Sequence, residues 1–420
     1  MNSFQTIVLG IFGFFIIAGL LVIATVKTTG ETGAAQVTLW GSAPEAYMST
    51  VLKESFDSDD LVVTYKEIAP ELLDQELLEA IASGRGPDAV LLPAELLIRY
   101  RDKVAVIPYA NYSERTFRDT FIQGAEIFLD QGGIFALPFS VDPLLMYYNR
   151  DILDSAGVVT PPKFWDEFLT LGGKLTRRDG IGNISRSAVA LGEFRNVASA
   201  KEIIAALFLQ SGNPIIGRDA GGLYYSALDQ SGTVPVLDFY TEFANPLKPS
   251  YSWNRSQPNS RDAFISSRLA IYFGFGSELR ELRKANPNLN LDTAYFPRPR
   301  SSEIPLTYGK ITGVSVLKIA ANPSAALAVA FKLSSPQPLT RYRDLSGLPP
   351  IRRDLLAQRP TDAFGGILYD SAIRARSFPD PNPSASTPLF QTMIESVTSG
   401  KAKSREALGV AASKLQSLLK

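Results

Sequence analysis

The stretch YYNRDILDSAGVVTPPKFWDEF, residues 147–168, decides how the chain is read. Two tyrosines and an asparagine end an apolar, strand-like run, and RDILDSA has the spacing of a short helix closed by Gly157. An asparagine before a helix satisfies its orphan N–H groups, a glycine closes it in the left-handed conformation, and prolines favour the first helical turn. Asn149 is therefore expected to cap RDILDSA, and Pro161 and Pro162 to set the start of a second helix, 163–175, on which Trp165 packs inward. None of these residues is a good catalyst. The passage positions a lobe.

Before it, QVTLWGS reads as a strand with Val37 and Leu39 alternating, followed by a helix opening at Pro44 and Glu45. LVVTYKEI (61–68) is a second strand, PELLDQELLEAIASG a helix from Pro70 to Gly84, and GPDAVLLP a third strand. Strands alternating with helices at this spacing indicate a parallel α/β sheet. GGIFALPFSVDPLLMYYN is expected to supply two short strands with Pro138 between them. Beyond the passage the chain turns mostly helical to about 290, around one strong strand, RLAIYFGFG (268–276). GVSVLKIA (313–320) reads as a buried strand before the helix PSAALAVAFKLSS, and SREALGVAASKLQSLL as a closing helix.

At 420 residues the chain suits two lobes with buried cores, and 45% apolar against 20% charged residues describes a globular protein. Lysine plus arginine equals aspartate plus glutamate at 42 each, so there is no basic excess to bind nucleic acid. The sequence has no cysteine, which excludes disulfides, thiolate nucleophiles and Cys-ligated zinc. It has no histidine either, which removes the usual general base and the Ser-His-Asp triad. Both absences weigh against an enzyme. No cofactor and no metal site are expected.

Residues 1–26 carry no charged side chain, and Ile7 to Ala24 is an unbroken apolar run. As a helix it would span roughly 30 Å of hydrocarbon, longer than a signal-peptide core, and it lacks the usual basic start. An N-terminal transmembrane helix is expected, with KTTGETGAAQ as a flexible tether.

With this layout, residues 134–168 resemble the signature region of the extracellular solute-binding proteins of ABC importers, in particular the maltose-binding-like group. The shared pattern is a strand ending in Leu-Pro, a tyrosine-rich strand ending Tyr-Asn, a short helix, then Gly, Pro-Pro and Thr-Trp-Asp-Glu. This chain supplies Leu137, Pro138, Tyr147, Tyr148, Asn149, Gly157, Pro161, Pro162, Trp165, Asp166 and Glu167, with Phe164 in place of the threonine. VTLWGS, GPDAVL, DAFISSRLAIYFGFG, ANPSAALAVAFKLSS and SGKAKSREALGVAASKL match further family segments in order. The resemblance implies a two-lobe periplasmic-binding-protein-like α/β fold with a ligand cleft between the lobes. The expected division is an anchor and tether at 1–35, a first lobe at 36–140 plus 297–345, and a mostly helical second lobe at 141–296 plus 346–420.

Ligands of open α/β sheets sit outside the carboxyl ends of the strands, and a sugar needs aromatic faces with a few polar groups. Trp40 and Ser42 follow the first strand, and Tyr251, Trp253 and Asn254 form an aromatic and amide cluster in a loop. Phe275 and Ser277 end the strong strand, and Tyr308 precedes the later one. The resemblance adds Asp142, which matches an acidic position that contacts ligand in related sugar binders. It also marks a departure, since many relatives carry a stacking tryptophan after the first glycine of FGFG, where this chain has Phe275.

Two motifs point elsewhere. GIGNIS (180–185) lacks a preceding strand and the third glycine of a dinucleotide loop. Ser315 and Lys318 have the S-x-x-K spacing of penicillin-binding-type acylases, but lie in a strand late in the chain, whereas that pair opens a helix early. What the sequence and its resemblance imply together is a membrane-anchored, extracytoplasmic solute-binding protein. It would capture a small solute, best a carbohydrate, and deliver it to ABC transporter permease subunits. The alternatives are a carbohydrate- or cell-wall-active enzyme using paired carboxylates, and a subunit that presents ligand to a membrane sensor.

Overall fold

The structure is a computed structural model that describes residues 34–56, 61–230, 232–302 and 305–419. The apolar run Ile7–Ala24, and the transmembrane helix expected there, lie outside the described residues. Among the described residues no helix is long and apolar enough to cross a membrane.

The passage at 147–168 folds largely as its chemistry dictates. Ile152 donates its backbone N–H to Asn149 Oδ1 at 3.2 Å, heading the helix Arg150–Ser155. Gly157 closes the turn with φ +66°, a conformation that favours glycine. The second helix starts later than expected, at Glu167. Its Glu167 carboxylate reaches back to accept the backbone N–H groups of Lys163 (2.7 Å) and Phe164 (3.1 Å), which fixes the entry as an extended segment. Trp165 packs inward, its ring 5.1–5.7 Å from those of Phe168, Phe239, Phe273 and Phe296, and its indole N–H donates to Gln210 Oε1 at 2.7 Å.

The strands are β1 (Ala35–Gly41), β2 (Leu61–Glu67), β3 (Ala89–Pro93), β4 (Leu129–Asp130), β5 (Gly133–Ile134), β6 (Leu137–Asn149) and β7 (Arg177–Arg178). They continue as β8 (Ile184–Val189), β9 (Ile216–Arg218), β10 (Tyr224–Ser226), β11 (Leu269–Phe275), β12 (Leu291–Ala294), β13 (Thr307–Val316) and β14 (Ala375–Arg376). One mixed sheet runs through both lobes in the order β2-β1-β3-β13-β6-β11-β8-β7, with β12 on β6 and β14 on β13. The expected parallel pairing holds among β2, β1 and β3, but β13 runs antiparallel to both β3 and β6. It re-enters from the second lobe and so travels the opposite way.

β6 corrects another expectation. Pro138 does not split it into two strands; it is one strand of 13 residues. β6 itself accommodates the proline through a bulge, since Ser140 and Pro138 face the consecutive residues Thr312 and Gly313 of β13 while Phe139 is skipped.

Two hydrophobic cores flank this long strand. Phe139 and Val141 of β6 belong to the first core, with β1, β3 and Ile311, Val314 and Val316 of β13. Leu144 to Tyr147 belong to the second, with Trp165, Phe273 and Tyr308. The cores change hands where Asp142 pairs with Lys310 and Pro143 with Gly309 in the β6–β13 ladder. Past this crossing Ile351, Leu355, Leu356, Ala372 and Ala375 still pack in the first core, while Phe378 and Phe390 pack in the second. The helix Ala363–Arg374 faces both cores, since Phe364, Ile367 and Leu368 pack with the second while Tyr369 and Ala372 pack in the first. In LPPIRRDLL, Ile351, Leu355 and Leu356 turn inward between the arginines.

Candidate ligand-binding cleft

The carboxyl ends of β1 and β3 and the crossing of β6 and β13 meet at two connected cavities between the lobes, of about 400 and 690 Å³. Ser42, Pro70, Pro93 and Thr312 line both, so the two form one cleft. Each volume falls in the range of small-molecule sites.

The smaller cavity has aromatic walls. Phe139 and Tyr342 come from the first lobe with ring centroids 4.7 Å apart, and Tyr47 projects from the helix Glu45–Ser55. Asp142 lies at its floor, accepting the Ser277 backbone N–H at 3.1 Å. Burial pushes the Asp142 carboxyl up to about 6, while hydrogen bonding to Ser277 and the Lys310 ammonium pull the other way. Arg280 and Glu281, on the second-lobe helix Glu278–Ala285, close the opposite side. Ser42 Oγ is buried with no hydrogen-bond partner among the described residues, an unmet polar atom at the seam of both cavities.

The larger cavity is more charged. Glu95 follows β3, Glu202 lies on the second-lobe helix Ala200–Gln210, and Tyr308 and Lys310 come from β13. Glu71, Asp74, Ser377 and Thr387 complete its polar lining. Lys310 is exposed to the cleft, and its ammonium sits 4.0 Å from the centroid of the Phe275 ring.

Of the residues singled out from sequence, Ser42, Asp142, Ser277 and Tyr308 meet at the cleft. The others line neither cavity. Trp40 is half-buried on β1 beside the Lys66 ammonium, 4.2 Å from its ring. Phe275 is 2% exposed, a core residue whose carbonyl accepts the Tyr147 hydroxyl at 2.7 Å. Trp253 is fully buried in the second core, and its indole N–H donates to Asn196 Oδ1 at 3.1 Å. The same Asn196 amide holds the carbonyls of Asn254 (2.8 Å) and Gln257 (2.9 Å), tying the loop to its own lobe. Asn254 in turn donates to the Tyr251 hydroxyl at 2.6 Å. The loop's aromatic and amide groups satisfy one another.

Sequence reasoning missed Tyr47, Glu95, Phe139, Glu202, Arg280, Lys310 and Tyr342. Tyr47 and Glu95 follow strand ends and were open to the same rule that selected Ser42. Tyr342 sits in RYRDLSGLPP, where the surrounding arginines mask it. Ser315, of the acylase-like pair, is fully buried and donates to the Phe135 carbonyl at 3.0 Å, which leaves it no room to act as a nucleophile.

A sequence model of the family described as bacterial extracellular solute-binding protein matches residues 54–363. The chain belongs to this family. A putative binding protein of Brucella abortus is 27% identical over 173 residues, 39% of this chain and 41% of its own. An arabinooligosaccharide-binding protein of Halalkalibacterium halodurans is 23% identical over 156 residues, 35% of each chain. The matched region thus spans about two-fifths or less of these curated relatives' lengths. Among solved structures, the sugar-binding protein MalE from Xanthomonas citri superposes with a TM-score of 0.74 at 21% identity, over 92% of this chain and 97% of its own. A substrate-binding protein of Listeria monocytogenes in complex with cycloalternan gives 0.70 at 17% identity, over 91% and 98%. These likenesses establish the fold of the family, two lobes around a cleft.

Proposed function

We propose that the protein captures a carbohydrate in the cleft between its lobes and hands it to an ABC transporter permease on the extracytoplasmic side. The observation that carries this reading is the cleft itself, where the aromatic walls of Tyr47, Phe139 and Tyr342 stand against Asp142, Ser42 and Ser277. Rings cover the C–H faces of a sugar, while carboxylates and hydroxyls take its OH groups. Family membership supports the reading, as do relatives named for arabinooligosaccharide and maltodextrin binding. Ser42, Asp142, Ser277 and Tyr308 are the ligand-facing residues of this proposal, with Tyr47 and Tyr342 as platforms. The chargeless apolar run at Ile7–Ala24 supports retention at the membrane through an N-terminal helix.

A thermal-shift screen of the full chain tests it, in a detergent without a sugar headgroup so that the detergent does not compete. A ligand at 100 times its dissociation constant adds about 2.7 kcal/mol to stability. Stabilisation by a mono- or oligosaccharide is the expected result. Stabilisation by peptides or amino acids alone would replace the solute class, and none by any solute would remove the capture reading.

A further inference from the structure

Glu95 and Glu202 face the same cavity from opposite lobes, and neither carboxylate has a partner. Among the described residues no hydrogen-bond donor reaches either side chain, and neither forms an ion pair. The nearby lysine that could serve them is engaged: Lys201 Nζ binds Asp380 Oδ2 at 2.6 Å, Ser386 Oγ at 2.9 Å and Thr387 Oγ1 at 3.2 Å. Asp380 is itself 1% exposed, so Lys201 directs its hydrogen bonds to Asp380, Ser386 and Thr387 and acts on Glu95 only through its field. Lys310 lies against the Phe275 ring and beside Asp142 in the ladder. Glu71 adds a further carboxylate to the same lining, whereas Asp74 is paired with Arg99 at 2.8 Å.

A carboxylate that is half-buried in a cleft with no protein donor, and faces a second of like sign, is a costly arrangement. Burial accordingly raises the Glu95 carboxyl; Lys201 and Lys310 oppose this, while Glu202 and Asp380 reinforce it. Tyr308, on β13, feels the Glu95 charge in turn. A neutral sugar would supply hydroxyl donors but leave the excess negative charge in place. A ligand ammonium would supply three donors and cancel charge together.

We propose that the solute carries a basic amino group, as an amino sugar does, held between Glu95 of the first lobe and Glu202 of the second. This rests on the reading of the cleft as a sugar site and narrows it to a cationic class. Because the two carboxylates belong to different lobes, the amino group also joins the lobes, so it acts on closure as well as on affinity. Amine binding requires Glu95 ionised, so the preference weakens as pH falls through its raised titration. Lys201, Glu202, Lys310, Asp380 and Tyr308 are the groups that set where this happens.

The test is calorimetric titration of the full chain, in sugar-free detergent, with three matched series of mono- to tetrasaccharides: glucose units joined β-1,4, the corresponding free glucosamine units, and their N-acetylated forms. The expected result is at least tenfold tighter binding of the free-amine series than of either neutral series. Glu95→Gln and Glu202→Gln should each remove most of that preference, read as the ratio of free-amine to neutral-sugar affinity within the same variant. Equal or weaker binding of the amine series, or a preference that survives in both variants, overturns the inference and leaves sugar capture standing. Absence of binding in all three series, with a non-sugar solute stabilising the protein, overturns both.

Discussion

Arg280 Nη1 donates to the Tyr47 hydroxyl at 3.1 Å, and this bond joins a helix of the second lobe to a helix of the first across the rim of the cleft. It forms only when the lobes approach, so it stabilises the closed arrangement and contributes nothing to either lobe alone. A neutral-to-charged hydrogen bond of this kind is worth about 1–2 kcal/mol. Tyr47→Phe keeps the ring and removes the bond. Its expected effect is a roughly five- to thirtyfold loss of ligand affinity, expressed in a faster off-rate, with the unfolding midpoint nearly unchanged. Stopped-flow release of ligand measures it, and an unaltered off-rate would show that the bond is incidental to closure.

Asp142 makes a different prediction, through pH. Its carboxyl rises from 3.8 to about 6, chiefly because it is buried. A carboxyl raised in the folded state is no burden below its unfolded pKa and becomes one as pH climbs through the folded value. The ionised form therefore costs the unliganded protein roughly 2–3 kcal/mol above about pH 7. Asp142→Asn is expected to be more stable than the parent at pH 7.5 and equal to it at pH 3.5, by urea unfolding. The same variant should bind ligand more weakly. Equal stability at both pH values would place Asp142 in better contact with solvent than the cleft floor provides.

Trp253 and Trp40 separate core from site. Trp253 is 0% exposed and hydrogen-bonded within its lobe, so Trp253→Ala is expected to lower stability by about 3–5 kcal/mol. Trp40 packs at the edge of the first core beside Lys66, so Trp40→Ala should cost less and leave ligand affinity within about twofold. Comparing unfolding midpoints with dissociation constants for the pair checks both statements. A large affinity loss in Trp40→Ala would put that ring into the cleft after all.

Gly309 stands at the crossing of the lobes, opposite Pro143. A Cβ there would approach the Ala375 Cβ at 2.6 Å, closer than side-chain carbons tolerate. Gly309→Ala is expected to destabilise the protein by about 1–3 kcal/mol and to push β14 away from β13. Small-angle scattering with and without ligand should show a smaller compaction than in the parent.

Local chemistry was the legible part of this fold. The Asn149 cap, the Gly157 turn, the inward Trp165 and the α/β alternation of the first lobe are all written in short-range patterns, and the structure has each of them. Strand direction was not legible, because alternation along β13 is the same whichever way the strand runs beside β3. The continuity of β6 was hidden by Pro138, since the bulge at Phe139 that accommodates it is defined by pairing with β13, about 170 residues away. The site was half legible for a related reason. Strand-end logic selected Ser42, Ser277 and Tyr308, and the resemblance Asp142, and all four line the cleft, whereas Trp253 and Phe275 drew attention as aromatics and fill a core. Tyr342, hidden among arginines, lines the cleft where those rings do not. Whether an aromatic faces ligand or core depends on what packs against it from distant sequence, and no local pattern carries that.

The shared strands also bear on how such a chain can be made. The first lobe begins at β1, yet its sheet lacks β13 until residue 316, and its core lacks Leu355 and Ala372 until later still. A chain emerging from its amino end must therefore carry β3 with an open, apolar edge of Val90, Leu91 and Leu92 while β7 to β12 of the second lobe are still being produced. Such an edge is a template for pairing with other chains. The lobe that starts first stays incomplete until about residue 375, and in that interval the yield of folded protein depends on keeping the edge from pairing with other chains.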